Sequence, residues 1–378
     1  MAATTQTKIS AQAAESQQPG TQRLVSLDAF RGATIALMVL VNTAGDYRHV
    51  YAPLKHSEWH GWTITDVVFP SFLWIVGVSI TLSLAKRMAA GASRGQLLKQ
   101  VLRRAAIIYA LGLLIYGFPT FDLATWRVLG VLQRIAICYL IASVIYMWSG
   151  VRAQLIWIGA LLVSYWMLMT LVPVPGYGAG NLTEEGNLGH YIDQMVLGRH
   201  NYAGTRTWDP EGIISTLPAI ATALFGIMAG HLLRLKNSLA ERTSWLFVVG
   251  NLLITLGLIL NVWMPINKKI WTSSFSVFMA GLDFVMFAIF IWVVDRLGYK
   301  RPVRPFVILG MNAIAIYMAS EMIEEILSAL HWRGWIYQTL FAPLASPINA
   351  SLLYAVAYTL AMFAIAYVMY RRGWFIKV

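Results

Sequence analysis

The hydrophobic positions of this chain form long uninterrupted runs, and short segments rich in polar and charged residues separate them. A helix that crosses a bilayer needs about 20 apolar residues, and its backbone satisfies its own hydrogen bonds in lipid. Strands of a membrane barrel would alternate apolar and polar positions, which these runs do not. We therefore predict an all-α, polytopic transmembrane helix bundle, with spans near 24–44, 64–85, 103–119, 128–148, 153–172, 212–233, 244–263, 272–295, 305–329 and 349–370.

Composition agrees with a membrane location. The chain has 378 residues, of which 58% are hydrophobic and only 12% are charged, whereas soluble domains carry about 25% charged residues. The net charge of +12 would suit a nucleic-acid partner. The basic residues nevertheless lie in short clusters between apolar runs, where they set topology and face anionic lipid headgroups. We therefore expect contact with membrane lipids and no nucleic-acid partner.

The basic residues also predict the orientation. More than twice as many Lys and Arg residues lie in segments on the side of the N-terminal tail as on the opposite side. The positive-inside rule then places both termini in the cytoplasm. We expect residues 1–22 to form a disordered cytoplasmic tail and residues 23–378 to form one transmembrane domain. Its long external loop, at about 173–211, has a length typical of segments that cover a site.

Polar residues inside the predicted spans are functional candidates, because each is costly in lipid. Asn42 lies near the outer end of the first span and Asp66 near the outer start of the second. The remaining candidates are Gln133, Arg134, Asp283, Asn312 and Glu321. An ion pair between Asp66 and Arg134 that merely joins two helices is the structural alternative.

His56 is the main candidate for catalysis, in the external loop where the chain returns to the membrane. Histidine titrates near neutral pH and can take a proton from a nucleophile. The neighbouring Lys55 would favour the neutral imidazole that a base requires. The alternative is a solvated loop histidine. A metal pair with His60 would need a third ligand at helical spacing; none is present, so we predict no metal.

Several strings of residues, in this order, resemble the heparan-α-glucosaminide N-acetyltransferase family. They spread over most of the chain from residue 23 onward, and the combination is more specific than any one string. The strings are Ser26–Gly32, Val41-Asn42, Lys55–Trp59, Thr65–Pro70, Gly130–Ile135, Asp209–Gly212, Pro265–Trp271 and Gly310–Asn312.

This resemblance implies a transmembrane acyltransferase. Members take acetyl from cytoplasmic acetyl-CoA and deliver it to the amine of a terminal glucosamine across the membrane. The family's catalytic histidine corresponds to His56 and its active-site asparagine to Asn42, although the stretch between them is about three residues longer than the family pattern. The likeness does not include the large luminal domain and leading helix of the animal enzymes. We therefore expect a bacterial inner-membrane protein with an envelope amino sugar as acceptor.

Acetyl transfer to an amine needs a base and donors for the oxyanion. His56 would serve as the base or, in a two-step route, carry the acetyl group itself. Asn42 would hold the thioester oxygen or orient the imidazole. Asp66 would orient His56 or bind the sugar.

Arginines near the cytoplasmic mouth could bind the phosphates of CoA with forked donors; these are Arg31, Arg103 and Arg104, whose alternative role is topology and lipid contact. Deeper in the bundle, Gln133 and Arg134 could meet the pyrophosphate or the pantetheine amides. The candidates for binding the acceptor are Trp59, Asp209, Glu211, Asn267, Lys268, Asn312 and Glu321. The string Asp209-Pro210-Glu211 can instead be read as a helix start, with Asp as N-cap.

Two other functions stay open at this stage. One is an O-acyltransferase of an envelope glycan, which shares the site and differs in the acceptor. The other is a transporter or flippase, since a polytopic bundle with intramembrane charges also suits transport. Gly226 and Gly230 form a small-residue pair for helix packing, either within the bundle or in a homodimer.

Overall fold

The computed structural model describes residues 24–376, and the tail predicted at 1–22 lies outside them. The regular elements of the described chain are helical, which confirms the predicted all-α bundle. They are α1 Val25–Asn42, α2 Ile64–Ala89, α3 Arg94–Gly117, α4 Val131–Trp148, α5 Val151–Leu171, α6 Leu188–Leu197, α7 Thr216–Leu233, α8 Leu239–Leu260, α9 Ser273–Phe290 with a π-helical turn Ile291–Arg296, α10 Lys300–Met311, α11 Ala313–Ala329, α12 Trp332–Ile336 and α13 Pro347–Arg371.

In the described chain, eight helices are long and apolar enough to cross a membrane, and the bent pair α10–α11 brings the number to nine. Nine of the ten predicted spans coincide with these elements. The tenth, at 103–119, lies in α3, which is not among the eight. Four basic residues occur in the first half of α3, namely Arg94, Lys99, Arg103 and Arg104.

Helices α2 and α7 form the centre of the bundle. In their apolar windows 67% and 72% of the residues are buried, whereas the value is 22% for α5 and for α8. A Cβ at Gly226 would lie 1.9 Å from the carbonyl oxygen of Trp74, and one at Gly77 would lie 1.9 Å from that of Ala223. Glycine therefore allows the two backbones to touch. The pair Gly226 and Gly230 faces α2 inside the bundle, while the homodimer stays a prediction.

The chain bends by 72° between α10 and α11, at Asn312. The Asn312 amide donates to the carbonyl oxygen of Trp374 at 3.0 Å, and its oxygen accepts from the backbone N–H of Ile376 at 2.9 Å. Gly310 packs against the carbonyl oxygen of Asp28 in α1. The start of α1 and the segment after α13 thus meet α10 at one end of the bundle. Which side of the membrane this end faces stays a prediction.

The two loops predicted to be external lie at the other end, where α1 ends and α2 begins, and they keep the name external loops below. The indole N–H of Trp59 donates to the carbonyl oxygen of Leu182 at 2.9 Å and joins the loops. Within the longer loop, the Asn187 side chain caps α6 by accepting from the N–H of His190. The loop predicted at 173–211 is therefore ordered around a short helix of its own.

Candidate active site

His56 and Asp66 form a close pair where the shorter external loop enters α2. Nδ1 of His56 lies 2.6 Å from Oδ1 of Asp66. The Asp66 side chain is 1% exposed and that of His56 is 48% exposed. The carboxylate is thus buried beneath a ring that reaches the surface.

The local sequence fixes the position of Asp66. It is the third residue of α2 and forms a capping box with Thr63. Its Oδ2 accepts from the backbone N–H of Thr63 at 3.0 Å, from the Thr63 hydroxyl at 3.2 Å and from the N–H of Ser57 at 3.0 Å. These bonds leave Oδ1 directed at the imidazole of His56.

Such a pair has a definite chemical capacity. A carboxylate that accepts from Nδ1–H selects the tautomer with an unprotonated Nε2 and stabilises the imidazolium that forms when Nε2 takes a proton. His56 and Asp66 therefore have the geometry of a general base and its orienting group.

The alternative ion pair between Asp66 and Arg134 is wrong. Arg134 is 1% exposed and donates from Nη2 to the carbonyl oxygen of Gly212 at 3.0 Å and to the hydroxyl of Ser215. Its guanidinium lies 5.2 Å from the ring of Trp271. Arg134 therefore contacts the segments that precede α7 and α9, and not the carboxylate of Asp66.

Asn42, the last residue of α1, contacts Glu321 rather than His56. Its amide donates to Oε1 of Glu321 at 3.4 Å. Tyr47 donates its hydroxyl to the carbonyl oxygen of Asn42, and Nη2 of Arg333 donates to that of Ala44 at 2.6 Å. Groups from α11 and from beyond it therefore hold this end of α1.

Three predicted acceptor-binding residues lie next to the His56 loop. The ring of Trp59 makes an edge contact with Trp208 at 5.7 Å. Nδ2 of the buried Asn267 is 3.4 Å from Nδ1 of His60, and burial lowers the pKa of His60. Lys268 is close enough to interact electrostatically with Asp66.

The predicted residues Asp209 and Glu211 are bound by Arg127, which sequence reasoning did not single out. Arg127 donates to both oxygens of Asp209, at 2.8 and 2.6 Å, and to Oε2 of Glu211 at 2.6 Å. The rings of Tyr116 and Tyr202 each lie 4.6 Å from its guanidinium. All three charged side chains are at most 9% exposed.

This cluster has two consequences for the earlier expectations. The helix start predicted at Asp209 is wrong, because α7 begins at Thr216 and the Asp209 carboxylate is occupied by Arg127. Burial raises the pKa of Glu211 on its own account, but Arg127 and Lys268 hold that pKa below its ordinary value. Both carboxylates thus connect the α3–α4 loop, which carries Arg127, to the segment that follows α6, instead of remaining open to an acceptor.

A further buried carboxylate, that of Asp193 in α6, supports the same segment. It accepts from the N–H of Asp209 at 3.2 Å and from that of Ile213 at 3.0 Å. Burial raises the pKa of Asp193 to about 6. In the sequence these carboxylates are isolated acidic residues. Their contacts join positions far apart in the chain, so no local pattern indicates the cluster.

The shorter loop holds a second histidine–carboxylate pair, which sequence reasoning also missed. Nδ1 of His49 lies 3.0 Å from Oδ2 of Asp46. Arg48 donates to the same carboxylate through Nε and Nη2, at 3.1 and 3.0 Å. The bonds from Arg48 and then from His49 hold the pKa of Asp46 well below its usual range. This pair differs from the His56 pair because the guanidinium of Arg48 shares its carboxylate.

The five residues predicted to bind acetyl-CoA fall into two groups, one in α1 and α3 and the other at the start of α4. Arg31 donates to Ser79 at 3.0 Å near the start of α1, and α3 carries Arg103 and Arg104 on exposed positions. By contrast, Gln133 and Arg134 are buried in the first turn of α4.

Asn312 and Asp283 lie apart from His56. Asn312 binds the segment after α13 at the opposite end of the bundle, and Asp283 accepts from the hydroxyl of Ser71 at 2.5 Å within the core. Within residues 24–376, no group of three or more His, Cys, Asp or Glu residues is placed to hold a metal ion.

Comparison with known proteins agrees with the resemblance. The family described as "Heparan-alpha-glucosaminide N-acetyltransferase, catalytic" matches residues 23–259. Two curated relatives named heparan-alpha-glucosaminide N-acetyltransferase, from Mus musculus and Homo sapiens, are each 29% identical to this chain. The alignments cover 96% and 94% of this chain but only 62% and 60% of the relatives, so the chain spans about three fifths of their length. Since the match extends over more than half of its residues, the chain belongs to the family of heparan-α-glucosaminide N-acetyltransferase catalytic regions.

Proposed function

We propose that this protein is a transmembrane acetyltransferase. It moves acetyl from acetyl-CoA, supplied from the cytoplasm, to the amine of a glucosamine-type sugar on the external side of a bacterial inner membrane. The observation that carries this proposal is the pair of His56 and Asp66, 2.6 Å apart. Family membership and the membrane helices support the same reaction.

In the direct route, the amine nitrogen attacks the thioester carbonyl carbon while Nε2 of His56 takes its proton. The C–N bond forms, the C–S bond breaks, and the imidazolium returns the proton to the CoA thiolate. Asp66 stabilises the transient imidazolium. The second N–H of the Asn42 amide is directed to the thioester oxygen, where negative charge develops.

In the two-step route, Nε2 attacks the thioester first and forms an acetyl-imidazole as the thiolate leaves. The amine then attacks that acetyl group, the C–N bond to the amine forms as the bond from the acetyl carbon to Nε2 breaks, and Nε2 takes the amine proton and passes it to water, from which the thiolate takes its own proton. Both routes use the same residues. They differ in whether CoA leaves before the acceptor arrives.

The donor would extend through the bundle. Arg31, Arg103 and Arg104 bind its phosphates near the cytoplasmic mouth, and Gln133 and Arg134 bind it near the external end. On the acceptor side, Trp59, Asn267 and Lys268 line the approach to His56, and Glu321 lies beside Asn42. Asp209 and Glu211, which Arg127 binds, shape the entrance on the acceptor side.

Release of free CoA from acetyl-CoA by the purified protein in detergent tests the proposal. The assay compares glucosamine, other envelope sugars and no acceptor, with His56→Ala as the key variant. His49→Ala is a matched control, because His49 is also paired with a carboxylate in the same loop. We expect amine-dependent release that His56→Ala abolishes and His49→Ala retains.

Each other outcome has a definite meaning. Release with hydroxyl acceptors only would indicate the O-acyltransferase. A burst of one CoA per chain without acceptor would indicate the acetyl-imidazole. Neither release nor binding of acetyl-CoA would overturn the proposal in favour of a transporter.

A further inference from the structure

Two adjacent buried residues, Gln133 and Arg134, keep polar atoms without a protein partner. Gln133 is 0% exposed, and neither its Oε1 nor its Nε2 has a hydrogen-bond partner within the described chain. For Arg134 the same holds for Nε and Nη1. A buried polar group without a partner is destabilising, so such groups in a membrane bundle point to a ligand that completes them.

The surroundings hold both side chains in place. The Gln133 amide lies against Gly112 of α3, where a Cβ would come within 2.4 Å of Oε1. Arg134 is fixed by its bond to the carbonyl oxygen of Gly212 and by the ring of Trp271. The unpartnered atoms are thus preorganised, which lowers the cost of binding a ligand.

These residues lie near the catalytic pair and apart from Arg31, one of the residues proposed to bind the donor phosphates. The Trp271 ring that carries Arg134 also contacts the ring of Phe69, with centroids 5.0 Å apart. Phe69 is three residues beyond Asp66 in α2, which is about one helical turn. Ser79, which binds Arg31, lies ten residues beyond Phe69, or about 15 Å further along the same helix.

Building on the proposed function, we infer that Gln133 and Arg134 bind the acyl-pantetheine end of the donor and not its phosphates. An amide side chain can both donate to and accept from a pantetheine amide. The two unpartnered nitrogens of Arg134, Nε and Nη1, suit a pantetheine carbonyl or the thioester oxygen. The phosphates are assigned to Arg31, Arg103 and Arg104.

Fragments of the donor separate the two assignments. S-acetylpantetheine carries the thioester and the amides without the nucleotide, and 3′,5′-ADP carries phosphates without the arm. Equilibrium binding of both fragments and of acetyl-CoA is measured for the full-length protein and for Gln133→Leu. We expect Gln133→Leu to weaken S-acetylpantetheine and acetyl-CoA by about tenfold, the effect of one or two hydrogen bonds, and to leave 3′,5′-ADP unchanged.

The same variant gives a stability readout that a structural role would not produce. Because the Gln133 amide bonds to no protein group, an apolar residue of similar size should keep or raise Tm. Gln154→Leu is the matched control. Gln154 is equally buried, but its amide bonds to the carbonyl oxygen of Ser149 and to Nε2 of His231. That control should lower Tm and leave donor binding intact.

Arg134→Gln supplies a second, independent variant. It should weaken S-acetylpantetheine and leave 3′,5′-ADP unchanged. Weaker 3′,5′-ADP binding by either variant, with S-acetylpantetheine unaffected, would overturn the assignment while the acetyltransferase proposal stands. Failure of the unmodified protein to bind acetyl-CoA at all would overturn both.

Discussion

Nδ1 of His56 lies 2.6 Å from Oδ1 of Asp66, and the other oxygen of the same carboxylate closes the capping box at the start of α2. One buried side chain thus serves a helix terminus and a surface histidine together. Because helix formation fixes the carboxylate, the imidazole is oriented before any substrate arrives. The geometry that we propose for catalysis is therefore tied to the folding of α2.

The first prediction separates these two roles. In Asp66→Asn the amide can donate to Nδ1 and leave the proton on Nε2, so His56 can no longer act as base. We expect kcat for acetyl transfer to fall by about 10²–10⁴-fold, with acetyl-CoA affinity unchanged. Thr63→Ala is the control, since it removes the cap hydroxyl at a cost of about 1 kcal/mol and keeps the pair. Equal losses of kcat in the two variants would contradict the assigned role.

The second prediction concerns the contact between the α3–α4 loop and the segment that follows α6. Arg127 forms a buried pair with Asp209 and Glu211, and removing it leaves two uncompensated buried carboxylates. Breaking a buried pair in this way costs about 3–5 kcal/mol, so Arg127→Met should lower Tm markedly. Arg48→Met is the matched control, because Arg48 is 83% exposed in its pair with Asp46 and such pairs contribute at most about 1 kcal/mol. A Tm equal to that of the control would show that the cluster does not hold the loops.

The third prediction is a pH dependence that arises from Asp193. Its pKa is raised by burial from 3.8 to about 6, so the folded state holds this proton more tightly than the unfolded state. The contribution of Asp193 to the free energy of unfolding should therefore be largest below about pH 4 and should fall, by at most about 3 kcal/mol, as the pH rises through about 6. Thermal unfolding across this window measures it.

Asp193→Asn should flatten that decline, because the side chain no longer titrates. Asp122→Asn is the control: Asp122 is exposed in another external turn, and its bonds to Thr125 and Ala124 lower its pKa. The control should retain the decline. An unchanged profile in Asp193→Asn would mean that another buried group is responsible.

Much of the fold could be predicted because lipid imposes simple rules on helix length and composition. The runs at 24–44 and 349–370 became Val25–Asn42 and Pro347–Arg371, within a few residues at each end. The bend at Asn312 could not be predicted in this way. It depends on bonds to Trp374 and Ile376, more than 60 residues away, and local apolar patterns carry no record of such contacts.

The contacts of the candidate site also differ in how far the sequence could predict them. The pairing of His56 with Asp66 joins positions ten residues apart, and the short loop and helix start between them made it accessible to sequence reasoning. The partners of Arg127 lie 82 and 84 residues away, so the charges appeared as unrelated loop residues. For Arg134, the sequence showed a costly buried charge but suggested the wrong partner. Its partners are a backbone carbonyl and an aromatic ring, which carry no charge and so cannot be recognised from the charged residues of the sequence.

The fourth prediction addresses the choice between an amine and a hydroxyl acceptor. Glu321 lies beside Asn42, and within the described chain it has no ion pair, while the nearby Arg127 is engaged by Asp209 and Glu211. When ionised, a carboxylate next to Asn42 favours a cationic ammonium over a neutral hydroxyl. Glu321→Gln should therefore raise the KM for glucosamine by about tenfold, as expected for one charged hydrogen bond, and should leave the Ki of glucose, tested as a competitive inhibitor, unchanged. Glu325→Gln, on an exposed position one turn further along α11, is the control and should retain the KM. If Glu321→Gln instead weakens glucosamine and glucose equally, the carboxylate binds the sugar hydroxyls, and selection of the amine must come from the chemistry at His56.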